Sequence, residues 1–191
     1  MKKITIFLSL ILVCSVSFAQ SPINLGIKVG VNSSELKMDG SEFSKDNVNN
    51  FLAGVFIRLN LHKLYVQPEA YFNSKGGDLK SIAGKSSFDL KTIDVPVLLG
   101  YKIINMGPLN VRVNAGPVFS FVTDKSIDGP STFSTDNLKD NYAGIQYGVG
   151  ADFMFLSLDI RMENSFGDVY SGNGNKAKSK AFLVTLGIKL L

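Results

Sequence analysis

After residue 20 the chain alternates apolar and polar side chains, position by position, through eight separate stretches. In residues 51–60, Phe51, Ala53, Val55, Ile57 and Leu59 share one face, and Leu52, Gly54, Phe56, Arg58 and Asn60 share the other. In residues 156–165, Leu156, Leu158, Ile160 and Met162 oppose Ser157, Asp159, Arg161, Glu163 and Ser165. A period of two marks a β-strand with two unlike faces. Strands of about ten residues, tilted by about 45°, are long enough to cross the hydrocarbon layer of a bilayer. The pattern therefore predicts strands that turn apolar residues to lipid and polar residues to a lumen.

The other stretches follow the same rule. Residues 23–33 present Ile23, Leu25, Ile27, Val29 and Val31 outward and Lys28 inward. Residues 64–74 turn Leu64, Val66, Ala70 and Phe72 outward, with Tyr65, Gln67, Glu69 and Tyr71 inward. Residues 88–104 change phase near Thr92, after which Ile93, Val95, Val97, Leu99 and Tyr101 face out. A one-residue slip inverts every side chain, so a bulge is expected there. Residues 109–122, 142–155 and 180–191 complete the set, and Arg112, Asn114, Gln146 and Asp152 fall on inward positions. Pro68, Pro96 and Pro117 lie inside strands, where each removes a ladder donor, and bulges are expected to absorb them.

Connection lengths alternate as well. Long polar segments at 34–50, 75–87, 124–141 and 167–179 alternate with short turns near 61–63, 105–108 and 155–156. Long loops on one side and tight turns on the other are the topology of an outer-membrane barrel. The fold expected is all-β: an eight-stranded antiparallel up-and-down transmembrane β-barrel. Met1-Lys2-Lys3, the apolar run 4–13 and Ser17-Phe18-Ala19 read as a cleaved signal peptide, which divides the chain into a leader at 1–19 and a barrel at 20–191.

The leader changes how composition reads. Lys2 and Lys3 leave with it, so the net charge falls from +4 to +2, and nothing gathers into a basic arm for nucleic acid. The one cysteine, Cys14, lies in the leader behind Val13 rather than behind a small residue, which argues against lipidation. The mature chain then carries no thiol for a disulfide, a nucleophile or a metal.

On parity, the lumen should collect Lys28, Arg58, Lys102, Arg112, Arg161 and Lys189 with Glu69, Asp94, Asp152, Asp159 and Glu163. An eight-stranded barrel is barely wide enough for its own side chains, so these charges are expected to pair as a structural network rather than line an ion path. Asp159 with Glu163, or Asp94 with Asp152, would be the acid–base pairs of an enzyme, but carboxylates in such a lumen more often bridge arginines. The sole histidine, His62, falls in a short turn, away from any partner set for a triad or metal. Gly26, Gly30, Gly144, Gly148 and Gly150 repeat at strand spacing and read as small lumen positions, with no nucleotide loop. Asp39, Asp46, Asp124, Asp128, Asp136, Asp140 and Asp168 sit in long loops without the spacing of a calcium site. No cofactor is expected.

Four segments together point to a family: Leu64-Tyr65-Val66-Gln67-Pro68-Glu69 running on to Ser74-Lys75-Gly76-Gly77, Ile93-Asp94-Val95-Pro96-Val97-Leu98-Leu99-Gly100-Tyr101-Lys102, Asn114-Ala115-Gly116-Pro117 and Tyr147-Gly148-Val149-Gly150-Ala151. Over essentially the whole mature length the chain resembles the PorT-type outer-membrane β-barrel domain family of Bacteroidota, whose members carry strand prolines at matching places. Its ending, Lys189-Leu190-Leu191, departs from the aromatic residue with which such barrels often close.

The leading expectation is a non-enzymatic integral barrel with a filled polar lumen, acting as anchor, scaffold or partner-binding platform through its long loops. Its expected partners are outer-membrane lipid and other envelope proteins. A narrow channel or small-solute porin is a second class, although aqueous channels usually need about 16–18 strands. A soluble periplasmic lipocalin-like carrier, with its apolar face inward, is a third.

Overall fold

The computed structural model describes residues 22–38, 50–81, 84–128, 140–167, 170–172 and 175–191. The leader, its expected cleavage point after Ala19, Cys14, and the loop residues Asp39, Asp46, Asp136 and Asp168 lie outside the described residues. The strands are β1 (Ile23–Met38), β2 (Asn50–Leu61), β3 (Leu64–Ser81), β4 (Gly84–Met106), β5 (Leu109–Asp128), β6 (Asn141–Phe153), β7 (Leu156–Ser165), β8 (Tyr170–Gly172) and β9 (Asn175–Lys189). Each of β1 to β6 pairs antiparallel with the next, β7 pairs with β9, and β9 pairs with β1, which closes the sheet. The three-residue β8 pairs only with the start of β9, so the barrel wall itself has eight strands.

The pairing register sets the shape. From Ile23 it passes through Leu59, Val66, Leu99, Ala115, Tyr147, Met162 and Phe182, and returns to β1 at Ser33, ten residues beyond the start. With a rise near 3.3 Å per residue and strands about 4.8 Å apart, that stagger tilts the strands by about 40°. This is the tilt of a bilayer-spanning barrel.

The outer face is apolar along the wall. Val29 and Leu99 are 58% exposed and Phe72 68%, whereas Leu98, Asp94 and Arg112, which point inward, are fully buried. No side of the barrel offers a core except the lumen. That interior is less uniformly polar than alternation alone suggests. Leu52, Tyr71, Ala181 and Leu183 cluster within it, and Leu98 and Val118 are also buried there.

Three local expectations are corrected. The irregularity near Thr92 lies on the neighbouring strand: Lys91 pairs with Asp124 and Thr92 with Val122, so Thr123 of β5 is the extra residue. Near Thr92 β4 keeps its phase, with Leu90 pointing inward as an apolar lumen residue; its own irregularity comes later, where Ile103 is the extra residue between Lys102 and Ile104. The prolines need no bulge. The residues opposite them drop out of the ladder for two pairs at a time, while the register on either side is unchanged. The three interruptions fall on consecutive seams, where Pro68 pairs with Val97 and Pro117 lies opposite the same valine.

The long connections also contain more strand than their composition suggests. The β3–β4 ladder runs up to Ser81 and Gly84, and β1 stays paired with β9 as far as Met38 and Ala177. Alternation is enforced only where the two faces meet different media. These segments are polar and carry no such signature, yet their backbones continue the ladder.

At the opposite end the turns are two residues long: His62-Lys63, Gly107-Pro108 and Met154-Phe155, the last one residue earlier than the 155–156 turn expected from sequence. The first residue of each has a positive φ (64° at His62, 59° at Gly107, 53° at Met154), as two-residue hairpin turns that suit the twist of the strands require there. Glycine meets this requirement without strain at 107; His62 and Met154 adopt it with a side chain.

Candidate functional site

Among the described residues, polar and charged chemistry concentrates in the lumen. Parity brings the side chains there: positions 58 on β2, 67 and 69 on β3, 112 and 114 on β5, 152 on β6, and 157, 159 and 161 on β7 all point inward. Near the tight turns, Asp152 receives two guanidinium groups, Arg58 Nη1 on Oδ2 and Arg112 Nη1 on Oδ1, both at 2.5 Å. Arg112 Nη2 reaches on to Asp159 Oδ2 (2.7 Å) and donates to Ser157 Oγ (3.0 Å). Arg161 forks onto Glu69, Nη1 to Oε2 at 2.8 Å and Nη2 to Oε1 at 2.9 Å, and lies 3.3 Å from Asp159. Lys28 pairs with the same Glu69 and sits over the Tyr71 ring, 4.3 Å from its centroid.

Aromatic and amide groups complete this set. The Arg58 guanidinium lies over both Tyr65 (5.1 Å) and Phe56 (5.6 Å), a placement that holds a cation against ring faces. Gln67 accepts from Arg58 Nε (2.5 Å) and donates to Glu69 Oε1 (2.6 Å), joining the two halves of the network. Room is made by glycine: a Cβ on Gly150 would lie 2.7 Å from Arg112 Cζ, and one on Gly100 would collide with the Tyr65 ring.

A second cluster lies nearer the long connections. Lys75 Nζ sits 3.0 Å from Asp94 Oδ2 and 2.7 Å from Glu163 Oε1, and donates to Tyr142 Oη at 2.8 Å. Gln146 donates to Glu163 Oε2 (2.8 Å) and Tyr71 Oη (2.5 Å), and Asn73 donates to Asp94 Oδ2 (2.8 Å).

The structure turns every residue of the expected charge set inward, and each except Lys102 takes part in one of these ion pairs. Lys102 is partly exposed at the tight-turn end. Lys189 is the most open of the paired groups, 3.7 Å from Asp152 Oδ2. Lys75 lies outside the expected set, because its segment has the composition of a loop. Its parity with Tyr65, Gln67, Glu69, Tyr71 and Asn73 was the signal available. With Lys75 included, the fully buried charges among the described residues are five cations (Lys28, Arg58, Lys75, Arg112, Arg161) and five carboxylates (Glu69, Asp94, Asp152, Asp159, Glu163).

The carboxylate pairs that an enzyme would use are not brought together. Asp94 is held by Lys75, and Asp152 by Arg58 and Arg112. Asp159 faces arginines, whereas Glu163 faces Lys75 and Gln146. His62 is exposed in its turn. Asp124 is exposed and pairs with Lys91 (2.9 Å). Among the described residues no group of three or more His, Cys, Asp and Glu side chains is gathered as a metal site requires.

Comparison with known proteins points the same way as the architecture. A family model described as Outer membrane protein beta-barrel domain matches residues 18–171. No curated protein matches the sequence. Among solved structures the chain is similar to Ail, the attachment invasion locus protein of Yersinia pestis, at 16% identity over 88% of this chain and 99% of that one, with a TM-score of 0.51. It is also similar to Neisserial surface protein A, at 12% identity over 88% and 97% of the two chains, with a TM-score of 0.48.

Proposed function

Since the chain belongs to the outer membrane protein beta-barrel domain family, we propose that it is a non-enzymatic integral barrel of the bacterial outer membrane, closed along its axis by its own charges. It serves as an anchor or scaffold that presents the long connections to other envelope proteins. Export depends on the signal peptide, removed after Ala19, and the motifs quoted above resemble those of the PorT-type barrels. The observation that carries this reading is the bridging of the lumen by side chains from many strands. Arg58 on β2 meets Asp152 on β6, Glu69 on β3 meets Arg161 on β7, and Lys75 on β3 meets Glu163 on β7. Contacts between non-adjacent strands must cross the interior, and each one occupies the cross-section a solute would need.

A filled lumen and a narrow channel differ in one measurable respect. In planar bilayers the mature protein is expected to give no steady current above the bare membrane. A large, steady, protein-dependent conductance would favour the small-solute porin instead. A soluble carrier would appear in the periplasmic fraction without detergent, whereas the exposed apolar wall predicts recovery with the outer membrane.

A further inference from the structure

We propose that the tight-turn mouth of the lumen binds a phosphate-type oxyanion between Lys102 and Lys189. Among the described residues the fully buried charges balance, and these two less buried lysines come in addition, with Lys189 sharing Asp152 with two arginines. They come from opposite walls, Lys102 on β4 and Lys189 on β9, four strands apart in either direction around the barrel. The mouth they enter is already cationic. Arg58 and Arg112 stand next inward with Asp152 held between them, and Lys102 pairs across the sheet with Arg112 itself. Lys63 in the β2–β3 turn adds another positive charge beside Lys102, whose backbone N–H donates to the Lys63 carbonyl at 2.8 Å.

The negative charge at this end is committed. Both oxygens of Asp152 are occupied by Arg58 and Arg112 at 2.5 Å, leaving Lys189 at 3.7 Å, beyond hydrogen-bond range. Asp159 lies deeper, between Arg112 and Arg161. The carboxylate of Leu191, the last residue of the sequence, accepts from Asn24 Nδ2 at 3.1 Å. Two half-buried ammonium groups and two guanidiniums outnumber the carboxylate of Asp152 at this end, and in a site of low dielectric a counter-anion relieves their repulsion. A polyvalent oxyanion fits better than a halide, because its oxygens point in several directions and can accept from ammonium groups on opposite walls at once. Free phosphate could supply this chemistry, and so could the headgroup of a phospholipid in the adjoining leaflet. The exposed apolar residues Leu61, Met106, Met154 and Leu190 set this rim against lipid.

The test uses the mature chain folded in a zwitterionic detergent, alongside a variant carrying Lys102→Gln and Lys189→Gln. Its heat-unfolding midpoint, read from the fast-migrating gel band, is followed in sodium phosphate and in sodium chloride of equal ionic strength. The parent's midpoint is expected to rise in phosphate relative to chloride, and that difference should vanish in the variant. The comparison between variants cancels the general stabilising effect of phosphate salts. Phosphorus NMR of the parent alone should show the phosphate line broadened by folded but not by heat-unfolded protein, which makes the result independent of how the variant folds. Vesicles of phosphatidylcholine with and without phosphatidylglycerol decide the source. A parent-specific gain in phosphate identifies the free anion, and one confined to phosphatidylglycerol vesicles identifies the headgroup. Equal behaviour of parent and variant in both media, with no broadening, overturns the proposal.

Discussion

Truncation of Arg161 to alanine is expected to destabilise the folded barrel by about 3–5 kcal/mol, the cost of leaving a buried carboxylate without its partner. Arg161 is fully buried and supplies a two-pronged contact to Glu69, with a third ion pair to Asp159. Neither carboxylate can reach water to recover the loss. Lys28 and Gln67 would remain on Glu69, and Arg112 on Asp159, so the site retains some compensation and the lower part of that range is expected. Lysine at position 161 should rescue little, because an ammonium cannot reproduce the fork. Denaturant unfolding of detergent-refolded protein measures the difference; a loss within a few tenths of a kcal/mol would mean that the guanidinium is not buried as described.

The second large effect lies on the other face. Ile160 points outward near the middle of β7, between Val149 of β6 and Val184 of β9. Lysine there is expected to cost about 2–4 kcal/mol, the penalty for a cation at the bilayer midplane. The same substitution at Phe166, just past the end of β7 and 62% exposed, should cost about 0–1 kcal/mol, because the penalty falls off toward the interface. The fraction of protein reaching the heat-modifiable form in vesicles reports both. Equal assembly of the two variants would show that this band of the wall does not lie in hydrocarbon.

What could be read from the chain depended on where its two faces differ. Along β2 and β7 every inward and outward position was legible, because lipid on one side and packed charge on the other forced a strict alternation. Lys75 was not. Ser74-Lys75-Gly76-Gly77 has the composition of a loop, yet the ladder continues through it and delivers the ammonium to Asp94 and Glu163. The prolines misled for a related reason: a missing donor suggests a bulge, whereas the closed wall tolerates a short gap in the ladder without losing register. The pairing of particular arginines with particular carboxylates was beyond the sequence altogether. It follows from the ten-residue stagger, which decides that Arg161 on β7 stands at the height of Glu69 on β3 and away from any acid on its own neighbours. That stagger is a property of closure, and no local stretch of sequence carries it.

The central claim is that charges facing one another across the lumen hold this barrel closed. A double-mutant cycle on Arg161 and Glu69, using Arg161→Met and Glu69→Gln singly and together, tests it most directly through unfolding free energies in detergent. The two residues lie on strands that do not touch, so their only coupling is across the interior. Directly paired residues couple by about 0.5–3 kcal/mol. The account predicts that the double variant loses less than the two single variants added, by an amount within that range. Strict additivity would contradict it.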